Sequence, residues 1–308
     1  MQAWLPGLIC LSLAGSAAAA SPAGYENWPQ VSAAERCTRM FADLGQAPRR
    51  LHLSGAVVRF LDLPPAEPDA GPPWLLIHGY GGNLCSFGPM IAEMAKRHRV
   101  LAFDLPGFGE SASADEHYTI DSYVQILREF LDRLESGPVH LVCHSLGGHV
   151  CIGAALTQPR YIETMTLIDT AGTFDTVDFI KQVAKQKGGV NLGRMAIKRG
   201  RSLVDWTDGE QAFLRRFIAS NPAIWTAIAS FRSNYHEQIG GIRTPTLILW
   251  GMYDPLFPVE GAAFLKENVA NSELHILDGA GHCPNESHPR AVVDLIEKFV
   301  REREPREP

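Results

Sequence analysis

The sequence predicts an α/β protein in which a mostly parallel sheet is flanked by helices and interrupted late by a helical insertion. Three observations carry this. From Gly55 onward, short apolar runs rich in β-branched residues alternate with helical patterns, as expected when strands are covered on both faces. The strand runs are four to seven residues long and bounded by Gly, Pro and Asp, while the helical ones repeat at three- and four-residue steps. The alternation stops over residues 172–241 and then resumes.

The elements follow in order. Val57 to Leu63 reads as the first strand, closed by Pro64-Pro65 and the turn-rich stretch Ala66 to Pro73. Trp74 to Ile77, Arg99 to Phe103, Val139 to Cys143, Met165 to Ile168, Thr246 to Trp250 and Leu274 to Leu277 are the strands that follow. Ile120, Tyr123, Val124, Leu127, Phe130, Leu131 and Leu134 form one apolar helical stripe, with Asp121 near its start. Leu146 to Leu156 is apolar nearly all round, a helix buried under the sheet. Val292, Leu295, Ile296 and Phe299 mark an amphipathic last helix.

The ends and the insertion have different compositions. Trp4 to Leu13 is mostly apolar and leads to Ala18-Ala19-Ala20 before Ser21, the form of a cleavable secretory leader. No Lys or Arg precedes it, so the competing expectation is a disordered Ala-rich leader or a mis-called start codon on a cytoplasmic protein. Residues 1–20 are therefore read as a signal peptide and 21–54 as an amino-terminal extension. Residues 55–171 and 242–303 form the core. Residues 172–241 form a helical cap, with ten Lys/Arg against six Asp/Glu in a chain of net charge −6. That overall charge gives no footprint for nucleic acid, and the leader is too short for a stable membrane anchor. Cys37, Cys85, Cys143, Cys151 and Cys283 remain after the leader. They are read mainly as small buried hydrophobes, with room for one disulfide of unassigned pairing.

Chemistry concentrates at the carboxyl ends of the strands. Cys143-His144-Ser145-Leu146-Gly147-Gly148 joins a buried strand to a helix. A serine on such a tight turn presents its hydroxyl, provided its neighbours two positions away are small. Cys143 stands where glycine is usual. A serine needs a base, and the base needs a carboxylate to fix its tautomer. Asp254 follows the strand ending at Trp250, and His282 follows the one ending at Leu277. Alone, each is a turn or loop residue, but three such residues in register on one sheet edge point to a nucleophile, an acid and a base. His78-Gly79-Tyr80-Gly81-Gly82 follows Trp74 to Ile77, which makes the Tyr80 and Leu146 amides candidates for an oxyanion hole. His144 and His149 flank the elbow as packing or hydrogen-bonding residues, and Asp104 reads as a loop anchor. His275, His282, Cys283 and His288 lack the paired spacing of a metal site.

These motifs, with Asp104-Leu105-Pro106-Gly107-Phe108-Gly109-Glu110-Ser111, Pro258, Glu286 and Pro289, resemble the lid-bearing α/β-hydrolase superfamily from about Gly55 to Arg301. The resemblance implies the α/β-hydrolase fold and an esterase, lipase or monoacylglycerol-lipase-like activity. It implies a small-molecule ester substrate, no cofactor and no metal. Ser145 at the elbow argues against relatives with an aspartate nucleophile. Thioesterase, lactonase, perhydrolase and slow-turnover receptor remain as alternatives. Phe213, Phe217 and Trp225 in the cap are candidates for an acyl pocket, and helix packing is the competing role for them.

Overall fold

The computed structural model describes residues 32–65, 71–111, 118–173 and 235–303. The leader, most of the cap and its Phe213, Phe217 and Trp225 lie outside the described residues.

Eight strands form one sheet: β1 (Arg49–Leu53), β2 (Ala56–Leu63), β3 (Trp74–Ile77), β4 (Val100–Phe103), β5 (Val139–His144), β6 (Ile162–Ile168), β7 (Thr246–Gly251) and β8 (Ser272–Leu277). Their spatial order is β1-β2-β4-β3-β5-β6-β7-β8. β1 and β2 pair antiparallel, as do β2 and β4, and all later pairs are parallel. The order reverses direction at β3, which lies between β4 and β5. Loops leaving β3 and β5 therefore diverge around a crevice at their carboxyl ends.

The strands' period of two divides the core. Leu75, Ile77, Leu101 and Phe103 face one cluster, while Trp74, Leu76, Val100 and Ala102 face the other. The first cluster is covered by α3 (Ile120–Arg133), α4 (Leu146–Thr157) and α5 (Glu260–Asn268). The second is covered by α1 (Ala33–Leu44), α2 (Gly88–Met94) and α7 (Pro289–Arg301), which follows the short α6 (Pro284–Ser287). Thr119 caps α3 through a reciprocal box with Ser122, and Asp121 lies in its first turn.

Two elements lie upstream of the expected core. β1 is an edge strand whose polar Arg49-Arg50 face water, so it lacks the apolar signal of its neighbours. α1 begins at the capping box Ser32/Glu35 and seats Met40 in the core. Arg36 of α1 meets Glu286 of α6 at 2.7 Å, both buried.

The cysteines correct the sequence expectation. Cys37 is bonded to Cys85 and Cys143 to Cys151, so these four are paired rather than packed as thiols. The first bridge ties α1 to the turn after β3; the second joins the end of β5 to α4. Closing a separation of 48 residues removes about 4 kcal/mol of unfolded-chain entropy on the loop-closure argument. A Cys37→Ala/Cys85→Ala protein is expected to lose about 2–4 kcal/mol in urea unfolding. An unchanged midpoint would mean the bridge contributes nothing.

Candidate active site

Ser145 joins β5 to α4 with φ 52° and ψ −115°, a conformation that side chains rarely adopt. Such a residue costs of order 1–3 kcal/mol and persists only where its surroundings fix it. Here they do. Its N–H donates to the Ile168 carbonyl at 3.0 Å, and its own carbonyl accepts from Ala171 at 3.0 Å and His149 at 3.3 Å. The turn also requires glycine around it. A Cβ on Gly147 would strike the carbonyl oxygens of Ile77 and His78, and one on Gly148 would strike Thr170.

His282 reaches both ways from the loop after β8. Its Nε2 accepts from the Ser145 hydroxyl at 3.1 Å, and its Nδ1–H donates to Asp254 Oδ2 at 2.8 Å. The Asp254 side chain is fully buried and that of His282 nearly so. The other Asp254 oxygen accepts from the Leu256 and Phe257 amides at 2.7 and 3.0 Å. Burial opposes the Asp254 charge, but the nearby imidazole and these hydrogen bonds hold its pKa below the usual carboxylate range. The three residues expected from the motifs thus meet in one hydrogen-bonded relay.

Two further histidines brace the site. His144 donates from Nε2 to the His282 carbonyl at 2.7 Å, tying the elbow to the loop that carries His282. Its pKa is pushed down to about 3, chiefly by burial and then by the charge of His282, so the ring stays neutral. His78 accepts from the Leu105 amide at Nε2, 2.9 Å, which places its proton on Nδ1 to bond the Gly79 carbonyl at 2.7 Å. Burial also lowers the His78 pKa. This fixes the turn after β3, where the Gly82 amide donates back to the Gly79 carbonyl at 3.1 Å. A Cβ built on Gly79 would lie 2.9 Å from that of Ser145, so the backbone of this turn packs directly against the elbow.

Asp104 receives the amides of Leu84 at 2.7 Å and Glu110 at 2.8 Å, with Arg59 at 3.4 Å, and so anchors two loops. The large apolar side chains exposed among the described residues are Tyr80, Met252 and Tyr253, all on loops at the carboxyl edge of the sheet. A ligating atom from each of Asp169, Asp254 and His282 lies within 4.8 Å of the others. The Nδ1–H bond to Asp254 already occupies the histidine nitrogen that faces them. Asp169 belongs to none of the motifs; its only signal in the sequence is an acidic residue directly after the strand run Met165 to Ile168.

Buried neutral histidines make stability depend on pH. His144 near 3, His140 near 4 and His78 are all held below the ordinary histidine value, in each case chiefly by burial. The unfolded chain takes up protons that these rings refuse. Stability is therefore full above about pH 6.5 and is lost as pH falls toward the folded values, by up to about 1.4 kcal/mol per pH unit for each ring. Urea midpoints measured from pH 7 to 4 should fall, and His144→Gln should flatten the slope. A slope unchanged by that substitution would contradict the assignment of a neutral His144.

Comparisons with known proteins agree with this fold. A model of the alpha/beta hydrolase family matches residues 74–295. Monoacylglycerol lipase ABHD6 of Bos taurus is 24% identical over 265 residues, spanning 76% of this chain and 77% of that protein. A 2-hydroxy-6-oxo-2,4-heptadienoate hydrolase of Pseudomonas putida is 28% identical over 282 residues, spanning 85% and 98%. The structure of a thermophilic esterase from Thermogutta terrifontis superimposes with a TM-score of 0.61 at 21% identity, covering 83% of this chain and 99% of that one. At that identity it shows the fold alone. The family match takes in the elbow and both loops that meet it, and the chain belongs to the alpha/beta hydrolase family.

Proposed function

We propose that this hydrolase cleaves carboxylic esters through an acyl-enzyme on Ser145, with His282 as base and Asp254 as its orienting acid. The observation that carries the reading is the relay from the Ser145 hydroxyl through His282 to a buried Asp254. The Ser145 hydroxyl attacks the ester carbonyl carbon as its proton passes to His282 Nε2. The amides of Tyr80 and Leu146 receive the oxyanion. His282 then protonates the departing alcohol, and water repeats the sequence on the acyl-enzyme, returning the proton to Ser145. Asp254 stays ionised throughout and stabilises the imidazolium. The exposed Tyr80, Met252 and Tyr253 favour an apolar substrate at the edge where the site opens, and the monoacylglycerol lipase relative supports an ester.

The Pseudomonas putida relative gives a second reading, a hydrolase of 2-hydroxy-6-oxo-dienoates, which the same relay would serve. Substrates decide between them. Hydrolysis of p-nitrophenyl esters across acyl lengths should be robust and should exceed turnover of a 2-hydroxy-6-oxo-dienoate. Ser145→Ala should abolish it in a folded protein, and Asp254→Asn should cut turnover by about 10⁴. Turnover confined to the dienoate would replace the ester reading, and a near-native Asp254→Asn would reassign the acid.

We also propose that the chain is exported. Two buried disulfides among the described residues suit an oxidising compartment, as does the small-residue run before Ser21. Amino-terminal sequencing of the cellular protein should find a start at or near Ser21; an intact Met1 would favour the cytoplasm.

A further inference from the structure

Asp169 has no part in the steps above, yet it lies among the residues that perform them. It follows β6, between the strand that presents Ser145 and the strand that leads to Asp254. Its side chain is completely buried and its backbone holds φ 40° in the left-handed region. One carboxyl oxygen, Oδ1, accepts from the Gly251 amide at 2.9 Å. The other, Oδ2, has no hydrogen-bond donor among the described residues.

Its neighbour is Asp254. Two buried carboxylates this close cannot both carry charge without a cation between them. Asp254 faces an imidazole and takes three N–H groups, from His282, Leu256 and Phe257. Asp169 takes one. The negative charge therefore settles on Asp254 and the proton on Asp169. That proton also resolves the orphaned oxygen: a bare Oδ2 can only accept, whereas a protonated one donates to Asp254. Burial first, then the Asp254 charge and the bond to it, hold the Asp169 carboxyl well above the usual carboxylate range. The other titratable groups nearby, His144 at the end of β5 and His78 after β3, are kept neutral by burial and supply no compensating charge.

We propose that Asp169 is an un-ionised carboxylic acid that donates its O–H to Asp254 and so positions the carboxylate that orients His282. Asp169 is thus a positioning residue. It fixes Asp254 from the β6 side while the Leu256 and Phe257 amides fix it from the loop beyond β7. The proposal rests on the ester-hydrolase reading for its catalytic consequence but not for the protonation itself.

Asparagine is the uncharged mimic of a protonated aspartate: its amide oxygen can accept from Gly251 while its N–H donates to Asp254. With p-nitrophenyl butyrate, Asp169→Asn is expected to keep kcat within a few-fold of the parent. Asp169→Ala is expected to lower kcat by about ten- to a hundredfold, the loss of a hydrogen bond to a charged group, with little change in KM. Infrared difference spectra of the parent against Asp169→Asn should show the carbonyl stretch of an un-ionised carboxylic acid at neutral pH in the parent only. The infrared arm needs no turnover and no alanine variant, so it stands even where Asp169→Ala fails to fold. An Asp169→Asn protein with kcat as low as that of Asp169→Ala, or a parent without the acid band, would overturn the proposal. A parent that shows the band but no Ser145-dependent hydrolysis would instead overturn the functional reading and leave Asp169 as assigned.

Discussion

The backbone of Ser145 is the constraint on which the rest of the site depends. A non-glycine residue at φ 52° and ψ −115° relaxes unless the chain on both sides is held. β5 holds one side through its pairing with β3 and β6, and α4 holds the other by packing its small residues under the sheet. Gly147 and Gly148 are the consequence. They let α4 start against the carbonyls of Ile77 and His78 and the side chain of Thr170, where any Cβ would push it away. His144 then carries the constraint from the elbow to His282, so one turn fixes both the nucleophile and its base.

Cys143 shows how this family member departs from the usual elbow. A small residue is required two positions before the serine, and cysteine meets that requirement. Its bond to Cys151 adds a covalent tie between β5 and α4 across the strained residue. The neutral rings of His78 and His144 add a second kind of rigidity. Each has both its environment and its tautomer fixed by backbone partners, so neither competes with His282 for a proton. Fixed hydrogen-bond partners of this kind need no reorganisation when charge develops.

Much of this was legible in the sequence, and the limits have physical causes. Strands buried on both faces write mostly apolar runs, so β2 to β7 were placed to within a few residues, and the half-buried edge strand β8 was found from its apolar end, Leu274 to Leu277. Ser145, Asp254 and His282 were legible because each ends such a strand in a characteristic turn. β1 was not, because an edge strand bearing Arg49 and Arg50 carries no apolar signature. α1 could have been found from the Ser32/Glu35 capping box. The disulfide pairings and the role of Asp169 depend on contacts between distant elements. Asp169 meets Gly251 across a separation of 82 residues, and no local pattern announces that meeting.

The central claim is that the Ser145 hydroxyl is activated by the relay behind it. The most direct measurement is to treat the folded protein with a fluorophosphonate and locate the adduct by peptide mass spectrometry. The account predicts stoichiometric labelling of Ser145, greatly slowed in His282→Ala. Labelling of a different serine, or labelling of Ser145 at the same rate without His282, would contradict it.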